Sequence, residues 1–341
     1  FLKNLSFVNR IVFFLNNIVA LLFFVSLTLP YIAPKSFSLL SIMSLTVPML
    51  LFAHLIFIIY WLLSGIKRQF LLSFLCIALA IGLSFFPYKF NSKEVVSGSS
   101  FAVMNFNVRR FNVYDWIDSD KVPQEISSFI KKEDPELIAF QEYAKDKRFD
   151  LTYPYKYEKL NGGKRGNGLA IFSKFRIVNR GSLDFENSNN NAIFIDIIKS
   201  NDTIRIYNVH LESFGIKPDS VDLNLDEKRS KKLIYRLKKS FTKQQDQVEK
   251  FLDHKKSCHY KTIISGDFNN TAFSWAYRNL KGDLNDSFIE AGKGFGKTYP
   301  FNSYPLRIDF ILSDKKFKVN QHKNFEIGLS DHEPVLARLS Y

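Results

Sequence analysis

The stretch Thr262-Ile-Ile-Ser-Gly-Asp-Phe-Asn269 sets the interpretation of the larger, polar part of this chain. Its apolar first half has the length and the β-branched character of a buried strand, and its last residues include Asp267 and Asn269. The same order, a short apolar or alternating strand that ends in polar side chains, recurs from residue 101 to the C-terminus. We therefore predict a domain of strands whose polar ends assemble a site.

The strand and helix pattern of this part indicates an α+β fold. Many strands with few intervening helices favour two sheets packed face to face, with helices outside them. The predicted strands are 101–107, 136–142, 168–173, 192–198, 203–210, 262–269, 306–312 and 333–339, and the predicted helices are 123–132 and 233–255.

Eight polar side chains at or just beyond the predicted strand ends are the candidate functional residues. Taken singly each has an ordinary explanation, because Asp267 suits a turn and Asn269 suits a helix cap. Acid, amide and imidazole groups at so many strand ends are more typical of a catalytic or metal site, since rigid strands position such side chains. The residues are Asn107, Glu142, His210, Asp267, Asn269, Asp309, Asp331 and His332.

The first 90 residues differ from the rest in charge. They contain no Asp or Glu and only six of the 47 Lys and Arg, so the other 251 residues combine 41 basic with all 33 acidic side chains, a net charge of +8. Three apolar segments there are long enough to cross a bilayer, which takes about 20 residues of helix. We predict three transmembrane helices, at about 11–31, 37–66 and 70–88. The predicted domains are a membrane anchor over 1–90, a flexible linker over 91–100 and a catalytic domain over 101–341.

The basic residues predict an orientation in the membrane. Lys3 and Arg10 precede the first apolar segment, and Lys67 and Arg68 lie between the second and third, whereas Lys35 is alone in the first connection. This distribution places the N-terminus inside and everything after residue 90 outside, which in a bacterium is the periplasmic face of the inner membrane. We therefore predict an integral membrane protein, and we infer no obligate protein partner.

Several other polar residues are predicted to have structural roles. Asn16, Asn17 and His54, inside apolar segments, are expected to form hydrogen bonds between helices. His254, His259 and His322 lie in charged segments and are expected to be solvated. Cys76 and Cys258 provide neither a disulfide framework nor a CxxC metal site. The net charge of +14 permits nucleic acid binding, but we find no Arg or Lys cluster interleaved with stacking aromatic residues.

Six local strings resemble the motifs of the endonuclease/exonuclease/phosphatase family, in the family's order, over about residues 100–341. The resemblance implies a four-layered αββα sandwich that hydrolyses phosphate mono- or diesters with Mg²⁺, for which Mn²⁺ is a substitute. The strings are Met104-Asn-Phe-Asn107-Val-Arg, Phe140-Gln-Glu142, Asn208-Val-His210-Leu, Gly266-Asp267-Phe-Asn269, Arg307-Ile-Asp309-Phe-Ile-Leu and Leu329-Ser-Asp331-His332-Glu-Pro-Val.

The resemblance implies a metal site built on Glu142. This residue would be the principal ligand, helped by Asn107 and Asp331. The chemistry agrees, because Mg²⁺ takes one or two carboxylates with other oxygen ligands and keeps several waters, whereas a His and Cys cage would favour zinc. The number of metal ions stays open at this point.

The resemblance also implies the catalytic roles. His332 would accept a proton from the attacking water or polarise it, and Asp309 would orient His332. Asp267 would align the nucleophile or act as the base itself, while Asn269 and His210 would contact the phosphate oxygens. A carboxylate-oriented histidine is a base whose pKa lies near working pH.

Two further segments are predicted to lie near the substrate. Arg109 and Arg110 follow Asn107 and are equally consistent with phosphate contact and with a place on the rim of the site. The basic loop 164–167 would face the site, and 214–243 is the segment expected to carry specificity.

Three functions remain open on the sequence. A membrane tether beside a phosphoesterase site favours a lipid-linked phosphate, whereas the basic surface favours a membrane-tethered nuclease that acts on extracytoplasmic DNA. A catalytically inactive receptor on the same fold is the third, and the intact set of catalytic-type residues argues against it.

Overall fold

The computed structural model describes residues 5–65, 68–95, 100–162, 166–215, 227–301 and 304–341. The chain begins with apolar helices, continues through a connector, and ends in a domain of two sheets. The helices of the first part are α1 Phe7–Ser26, α2 Ser38–Ile42, α3 Val47–Leu63 and α4 Phe70–Gly82, with 3-10 turns at Leu29–Tyr31 and Met43–Leu45.

The apolar helices match the three predicted spans only in part. Within the described residues, one helix, Phe7–Tyr31, is long and apolar enough to cross a membrane. The pair Ser38–Leu45 and Val47–Leu63 would add a second if it formed one span, but it bends by 55°. Phe70–Gly82 is apolar and shorter. The expectation of one continuous helix over 37–66 is therefore wrong.

Pro48 explains the bend between α2 and α3. A proline has no N–H, so Pro48 cannot donate to the carbonyl of Ser44 four residues earlier, and the helix cannot run straight through. The freed Ser44 carbonyl instead accepts a hydrogen bond from Thr271 Oγ1 at 3.1 Å. The break thus turns a lost helical bond into a contact with the sheet domain.

Buried polar side chains link the three long apolar helices. His54 Nδ1 on α3 lies 2.9 Å from Ser73 Oγ on α4, and the Ser73 hydroxyl donates to Asn16 Oδ1 on α1 at 2.7 Å. This confirms the predicted hydrogen bonds between helices for Asn16 and His54. The prediction is wrong for Asn17, whose Nδ2 donates within α1 to the Phe13 carbonyl at 2.6 Å.

The domain of residues 100–341 contains two six-stranded sheets. The first sheet has the order β13-β14-β1-β2-β4-β3, the second has the order β5-β6-β7-β8-β12-β9, and β10 and β11 form a separate hairpin. The strands are β1 Phe101–Asn107, β2 Leu137–Ala144, β3 Tyr155–Asn161, β4 Asn167–Ser173, β5 Arg176–Ser182, β6 Asn191–Lys199, β7 Asp202–His210, β8 Lys261–Asp267, β9 Asn285–Asp286, β10 Tyr299–Phe301, β11 Tyr304–Leu306, β12 Asp309–Ser313, β13 Lys318–Asn324 and β14 Val335–Ser340.

Helices cover the outer faces of both sheets. α5 Val122–Glu133 connects the parallel pair β1 and β2, and α6 Glu227–Lys256 connects the parallel pair β7 and β8, as parallel strands require. α7 Trp275–Lys281 packs beside α6, and α8 Ser287–Ala291 lies against β12 and β13. The described residues therefore form helix, sheet, sheet and helix layers.

Side-chain alternation in β1 shows how the core and the site arise from one pattern. Phe101 and Val103 point into the core between the sheets, whereas Ala102 and Met104 pack toward α5. Because the period of a strand is two residues, the next inward positions are Asn105 and Asn107. The inter-sheet layer therefore changes from apolar to polar toward the end of the strand.

His322 departs from its predicted solvated environment. His254 departs from it in part, since it is half-buried with Nδ1 3.0 Å from the Tyr207 hydroxyl, whereas His259 is exposed as predicted. His322 is buried on β13, where Nδ1 lies 2.9 Å from Ser287 Oγ and Nε2 lies 3.1 Å from Asn324 Oδ1. Burial lowers its pKa to about 4, although the charge of Asp286 opposes this shift. The prediction failed because the charges around His322 in the sequence lie on the opposite face of the strand or beyond its end.

The helical part and the sheet domain contact each other directly. The Lys35 amide donates to Gln245 Oε1 at 2.8 Å, and its ammonium pairs with Asp246 and, at 3.7 Å, with Glu249 of α6. Phe273, just before α7, is buried in an apolar cluster with residues of the helices.

The connector between the two parts is also attached. Lys89 exchanges both backbone hydrogen bonds with Gly294, and the amides of Lys93 and Val95 donate to the carbonyls of Ala291 and Asn320. The N-terminal half of the predicted linker therefore lies against the sheet domain, while residues 96–99 fall outside the described ranges.

Candidate active site

The candidate residues meet at one edge of the two sheets. Along the second sheet, His210 of β7 and Asp309 of β12 are both register partners of Asp267 of β8. Asn107 of β1 reaches across from the first sheet, because its Nδ2 donates to Asp267 Oδ2 at 3.1 Å. Side chains predicted from separate strand ends thus surround a single carboxylate.

His332 is held by Asp309. His332 Nδ1 lies 2.9 Å from Asp309 Oδ2, and both side chains are buried. A carboxylate accepts in this bond, so Nδ1 carries the proton. The opposite ring nitrogen, Nε2, lies 3.6 Å from Asp267 Oδ2 and is the atom that faces the candidate site.

Asp267 accepts hydrogen bonds at both of its oxygens. Oδ1 accepts from the Asn269 amide at 2.8 Å, and Oδ2 accepts from Asn269 Nδ2 at 3.3 Å in addition to Asn107. His210 Nε2 lies 3.5 Å from the same Oδ2. Asn269 has a positive φ of 48°, which turns its side chain back toward Asp267.

Burial and neighbouring charges set the protonation of this group. Burial raises the pKa of Asp267 to about 6, although the charge of His332 acts in the opposite direction. Burial alone would lower the pKa of His332, but Asp309 and Asp267 outweigh it and hold that pKa well above its ordinary value. His210 differs, since burial dominates and lowers its pKa. The arrangement therefore favours a protonated His332 and a neutral His210.

A β-bulge places Glu142. The register of β2 against β4 shifts between Phe140 and Tyr143, so Gln141 and Glu142 have no partner in β4. Glu142 also has a positive φ of 49°, which is uncommon for a residue with a side chain. Bulges re-aim side chains in this way, and here the carboxylate is directed toward Asn107 and Asp331.

The surroundings of Glu142 fit a divalent cation. Burial raises the pKa of Glu142, and the charge of Asp331 raises it further. A bound cation would remove both penalties, because it would neutralise two facing carboxylates. Glu142 and Asp331 thus offer carboxylate oxygens, the ligand type that Mg²⁺ prefers, whereas the Asn107 amide oxygen accepts from the Arg109 amide at 3.1 Å.

A second group of side chains, Asp267, Asp309 and His332, has the spacing of a metal site, but its carboxylates already accept hydrogen bonds from protein groups. Ligand atoms of Asp267, Asp309 and His332 lie within 4.8 Å of one another. Asp309 uses Oδ2 for His332 and Oδ1 for Asn105, and both Asp267 oxygens accept from amides. The carboxylates of this group are thus engaged in hydrogen bonds, and Asp331 is also engaged, since it pairs with Arg109 at 3.2 Å and accepts from Ser330 Oγ at 3.3 Å.

The segment after Asn107 presents two arginines and two aromatic rings at the rim. The Arg109 guanidinium lies 4.0 Å from the Trp116 ring centroid and pairs with Asp331 at 3.2 Å. Arg110 bonds to Tyr114 at 2.5 Å and to Asn167 Oδ1 at 2.7 Å. Our expectation that no basic cluster is interleaved with aromatic residues is therefore wrong.

This rim segment is conformationally unusual. Arg109, Arg110, Phe111 and Asn112 all have positive φ, between 41° and 61°. Such conformations are costly for residues with side chains and are found where the surrounding structure enforces them. Asn112 supplies part of that enforcement, because its side chain hydrogen-bonds three backbone groups of residues 117–119.

Sequence reasoning missed a buried amide network beneath the site. Asn105 Nδ2 donates to Asp309 Oδ1 at 3.2 Å, while its Oδ1 accepts from Gln141 Nε2 at 2.9 Å and from Ser265 at 3.0 Å. Gln141 also donates to Asn208 Oδ1 at 2.6 Å. Asn105, Gln141 and Asn208 lie inside the motifs given above. The feature that could have predicted the network is that each is a polar residue at an inward-facing position of an otherwise apolar strand.

The remaining predicted segments are described only in part. In the basic loop, Asn167 contacts Arg110, whereas residues 163–165 lie outside the described ranges. In the segment 214–243, residues 216–226 lie outside them, and the part from Glu227 onward belongs to α6.

Two family models match the chain. Residues 104–332 match the model described as the Endonuclease/Exonuclease/phosphatase family. Residues 9–86 match a model described as a Domain of unknown function (DUF8431). No curated protein matches the chain.

The fold is similar to that of several solved structures. A humanized D. rerio TDP2 with 14 mutations shares 16% identity at a TM-score of 0.54, over 72% of this chain and 100% of that chain. The endonuclease/exonuclease/phosphatase from Bacteroides vulgatus shares 16% at 0.52, over 71% and 99%. The human Nocturnin catalytic domain with bound sulfate anion shares 16% at 0.52, over 74% and 96%. At these identities the likeness establishes the fold alone.

Proposed function

The chain belongs to the endonuclease/exonuclease/phosphatase family, and from that premise we propose that it is a membrane-tethered, divalent-metal-dependent hydrolase of phosphate esters. The observation that carries the proposal is the arrangement of His332, Asp309 and Asp267 beside Glu142. A histidine fixed by one buried carboxylate and facing a second is suited to proton transfer at a substrate placed between the sheets.

We assign the proton-transfer roles from the electrostatics. The raised pKa of His332 leaves Nε2 protonated, so this atom donates to an oxygen of the phosphoryl group or the nucleophile. Asp267, with a pKa of about 6, is ionised at neutral pH and accepts the proton of the attacking water. The water oxygen bonds to phosphorus as the ester P–O bond breaks, and the leaving oxygen ends as an alcohol after taking up a proton.

Neighbouring amides and His210 complete the phosphate contacts. The neutral His210 ring lies beside Asp267, where it can donate to a phosphate oxygen. Asn269 Nδ2 donates to the Leu211 carbonyl at 3.0 Å and to Asp267 at 3.3 Å, so a phosphate oxygen would replace the longer of these bonds. Preorganised donors of this kind stabilise charge that develops in the transition state. Asn105 acts through Asp309, since it holds that carboxylate in the orientation that His332 requires.

Glu142, Asp331 and the Asn107 amide oxygen would hold the metal. Mg²⁺, or Mn²⁺ in its place, would neutralise charge on the phosphoryl oxygens when bound there. Arg109 competes for Asp331 at 3.2 Å, so substrate or cation binding would release this pair.

We place the apolar helices in a membrane. The support is one helix long enough to span, a bent pair that could form a second span, and a shorter apolar helix that packs against both. The first connection, with Lys35, touches the sheet domain, as expected if the two lie on the same side. By the charge distribution that side is outside, which in a bacterium is the periplasm.

A nuclease is the second candidate function, and the rim segment is the observation that favours it. Tyr114 and Trp116 are exposed beside Arg109 and Arg110. Exposed rings beside cationic groups suit the stacking of bases and the contact of phosphates in single strands.

The full chain in detergent, supplied with Mg²⁺, should hydrolyse bis-p-nitrophenyl phosphate and lose this activity in excess chelator. Plasmid DNA and phospholipid vesicles then separate the two candidates, because a nuclease should weaken steeply with salt. Absence of metal-dependent hydrolysis of every ester tested would overturn the proposal.

A further inference from the structure

An exposed aromatic and basic surface lies where the helices meet the sheet domain. Its members come from the connector and from the loop after α8, joined by the Lys89 and Gly294 backbone bonds. Phe90 is 69% exposed and Phe295 is 49% exposed. We call this the interface patch, and it consists of Lys89, Phe90, Lys93, Lys293 and Phe295.

The rings of this patch hold one another in an exposed position. The Tyr88 ring lies 5.0 Å from the Phe90 ring and 4.9 Å from the Phe295 ring, each at a steep angle. Phe295 stands between Gly294 and Gly296, both of which have positive φ, so the loop turns sharply on each side of it. Exposing two phenylalanines to water is unfavourable, which indicates a covering partner.

The charge of the patch identifies the partner as anionic. Lys89, Lys93 and Lys293 form no ion pair with an acidic side chain among the residues that the structure describes. Glu94, next to Lys93 in the connector, and Glu290, in α8, offset part of this charge, so the region keeps three lysines against two carboxylates. Aromatic rings beside lysines are the side chains that occupy the headgroup region of a bilayer.

The patch is continuous with the apolar helices. α4 ends with exposed Ile81 and Leu83, and the chain continues directly to Phe90. A cleft of about 260 Å³ is lined by residues from both ends of this path, including Ile81, Tyr88 and Phe90. A bilayer that surrounded the helices would therefore meet the patch at its surface.

The same loop leads from the patch to the catalytic histidine. Tyr299 is four residues after Phe295, and its ring packs 4.9 Å from the His332 ring. Thr298 accepts from the Asp309 amide at 3.2 Å, and its carbonyl accepts from the Glu333 amide at 2.7 Å. Four residues span at most about 14 Å, so Phe295 of the patch lies within about that distance of Tyr299, whose ring packs on His332.

We propose that the interface patch rests in the headgroup layer of an anionic bilayer, and that the substrate is a phosphate ester of a lipid headgroup in that bilayer. This inference rests on the proposed hydrolase function and names its substrate class. Hydrolysis releases an alcohol and a phosphate from the headgroup at the membrane surface, with water as the co-reactant.

The membrane contact is tested with the full chain in vesicles of phosphatidylcholine and phosphatidylglycerol. A single environment-sensitive label is attached at Phe295→Cys or at Val178→Cys, in a background in which Cys76 and Cys258 are replaced by Ala and Ser. Val178 is the matched control, because it is also 49% exposed but lies on β5 at the far edge of the second sheet. A lipid-borne quencher should suppress the fluorescence of the Phe295→Cys label severalfold more than that of the control. Equal quenching of the two labels would overturn the proposed contact between the interface patch and the bilayer.

The substrate class is tested by phosphorus release from vesicles of a polar lipid extract. Reversing Lys89, Lys93 and Lys293 to Glu should lower this release by about tenfold or more, since an anionic surface attracts each of these lysines and would repel each glutamate. Hydrolysis of bis-p-nitrophenyl phosphate should stay within about twofold of wild type. Wild type that cleaves the soluble ester but releases nothing from vesicles overturns the inference and spares the proposed function. If the wild type cleaves neither the soluble ester nor the vesicle lipid, the proposed function is overturned. The quenching experiment then still tests whether the interface patch contacts the bilayer.

Discussion

His332 Nδ1 lies 2.9 Å from Oδ2 of Asp309, and this bond directs the opposite ring nitrogen, Nε2, toward Asp267. The other Asp309 oxygen accepts from Asn105, so the carboxylate cannot rotate without breaking a second bond. The orientation of the proposed acid–base residue is thus determined from two sheets at once.

Asp309→Asn should therefore lower kcat more than KM. The amide would keep the shape but offer His332 a donor or a weak acceptor, and the ring would lose the charged acceptor that orients it and helps to hold it protonated. We expect a loss of about 10³-fold or more in kcat, by analogy with the corresponding change in serine hydrolase triads. Steady-state kinetics on bis-p-nitrophenyl phosphate checks this, and a kcat within threefold of wild type would remove Asp309 from the mechanism.

Glu142→Gln should weaken cation binding in the absence of any substrate. Replacing the buried carboxylate with a neutral amide removes the charge that a divalent cation would neutralise. Titration calorimetry with Mg²⁺ and Mn²⁺ should show an affinity loss of about tenfold or more. Glu186→Gln is the control, since this exposed residue has one long contact to Lys250 at 3.7 Å, and its affinity should match wild type. Equal affinities of the two variants would show that Glu142 is not a ligand and that the metal binds elsewhere.

Phe273→Ala should loosen the sheet domain from the helices. Phe273 is buried in the cluster that includes Phe23, Val47 and Leu51, and removal of a buried Phe side chain typically costs about 3–5 kcal/mol. Denaturant unfolding of the full chain in mild detergent measures the change. Phe295→Ala removes the same atoms from an exposed position and should cost less than about 1 kcal/mol. Similar losses in both variants would contradict the docked arrangement.

His322 should make the free energy of unfolding decrease at acidic pH. Its pKa is about 4 in the fold and about 6.5 in the unfolded chain, so only the unfolded chain binds a proton between these values. Stability should fall as the pH drops through this window, by up to about 3 kcal/mol. The groups that face His322 are Asp286, Arg307, Ser287 and Asn324. His322→Gln should flatten the pH dependence of the unfolding midpoint between pH 7 and pH 5, and an unchanged slope would contradict this assignment.

The motifs predicted the inner part of the fold well because they lie on strands that are buried on both faces. β1, β2, β7 and β8 have nearly continuous buried patterns, and their positions agree with the predictions to within about three residues. The unpredicted strands β3, β5, β9 and β13 are the edges of the two sheets, and the unpredicted β10 and β11 form a separate hairpin. Their pairing is set by the neighbouring strand, which a local sequence pattern does not contain.

In the site, too, the features that depend on local sequence could be predicted, whereas those that depend on tertiary contacts could not. Asp267, Asp309 and His332 could be named in advance because each lies in a recognisable motif beside a predicted strand: Asp267 ends β8, Asp309 begins β12 and His332 precedes β14. The bulge that re-aims Glu142, and the positive φ values from Arg109 to Asn112, could not be, since tertiary contacts enforce them. The bend at Pro48 was foreseeable, because the missing N–H is a property of the residue itself.

The most direct measurement of the central claim is the Mg²⁺-dependent rate of bis-p-nitrophenyl phosphate hydrolysis by the full chain and two variants. His332→Ala and Glu142→Ala remove the oriented histidine and the metal carboxylate, while circular dichroism verifies that each variant is folded. The account predicts a rate loss of about 10³-fold or more in both. Undiminished rates in both folded variants would show that hydrolysis occurs elsewhere on the molecule and would contradict the account.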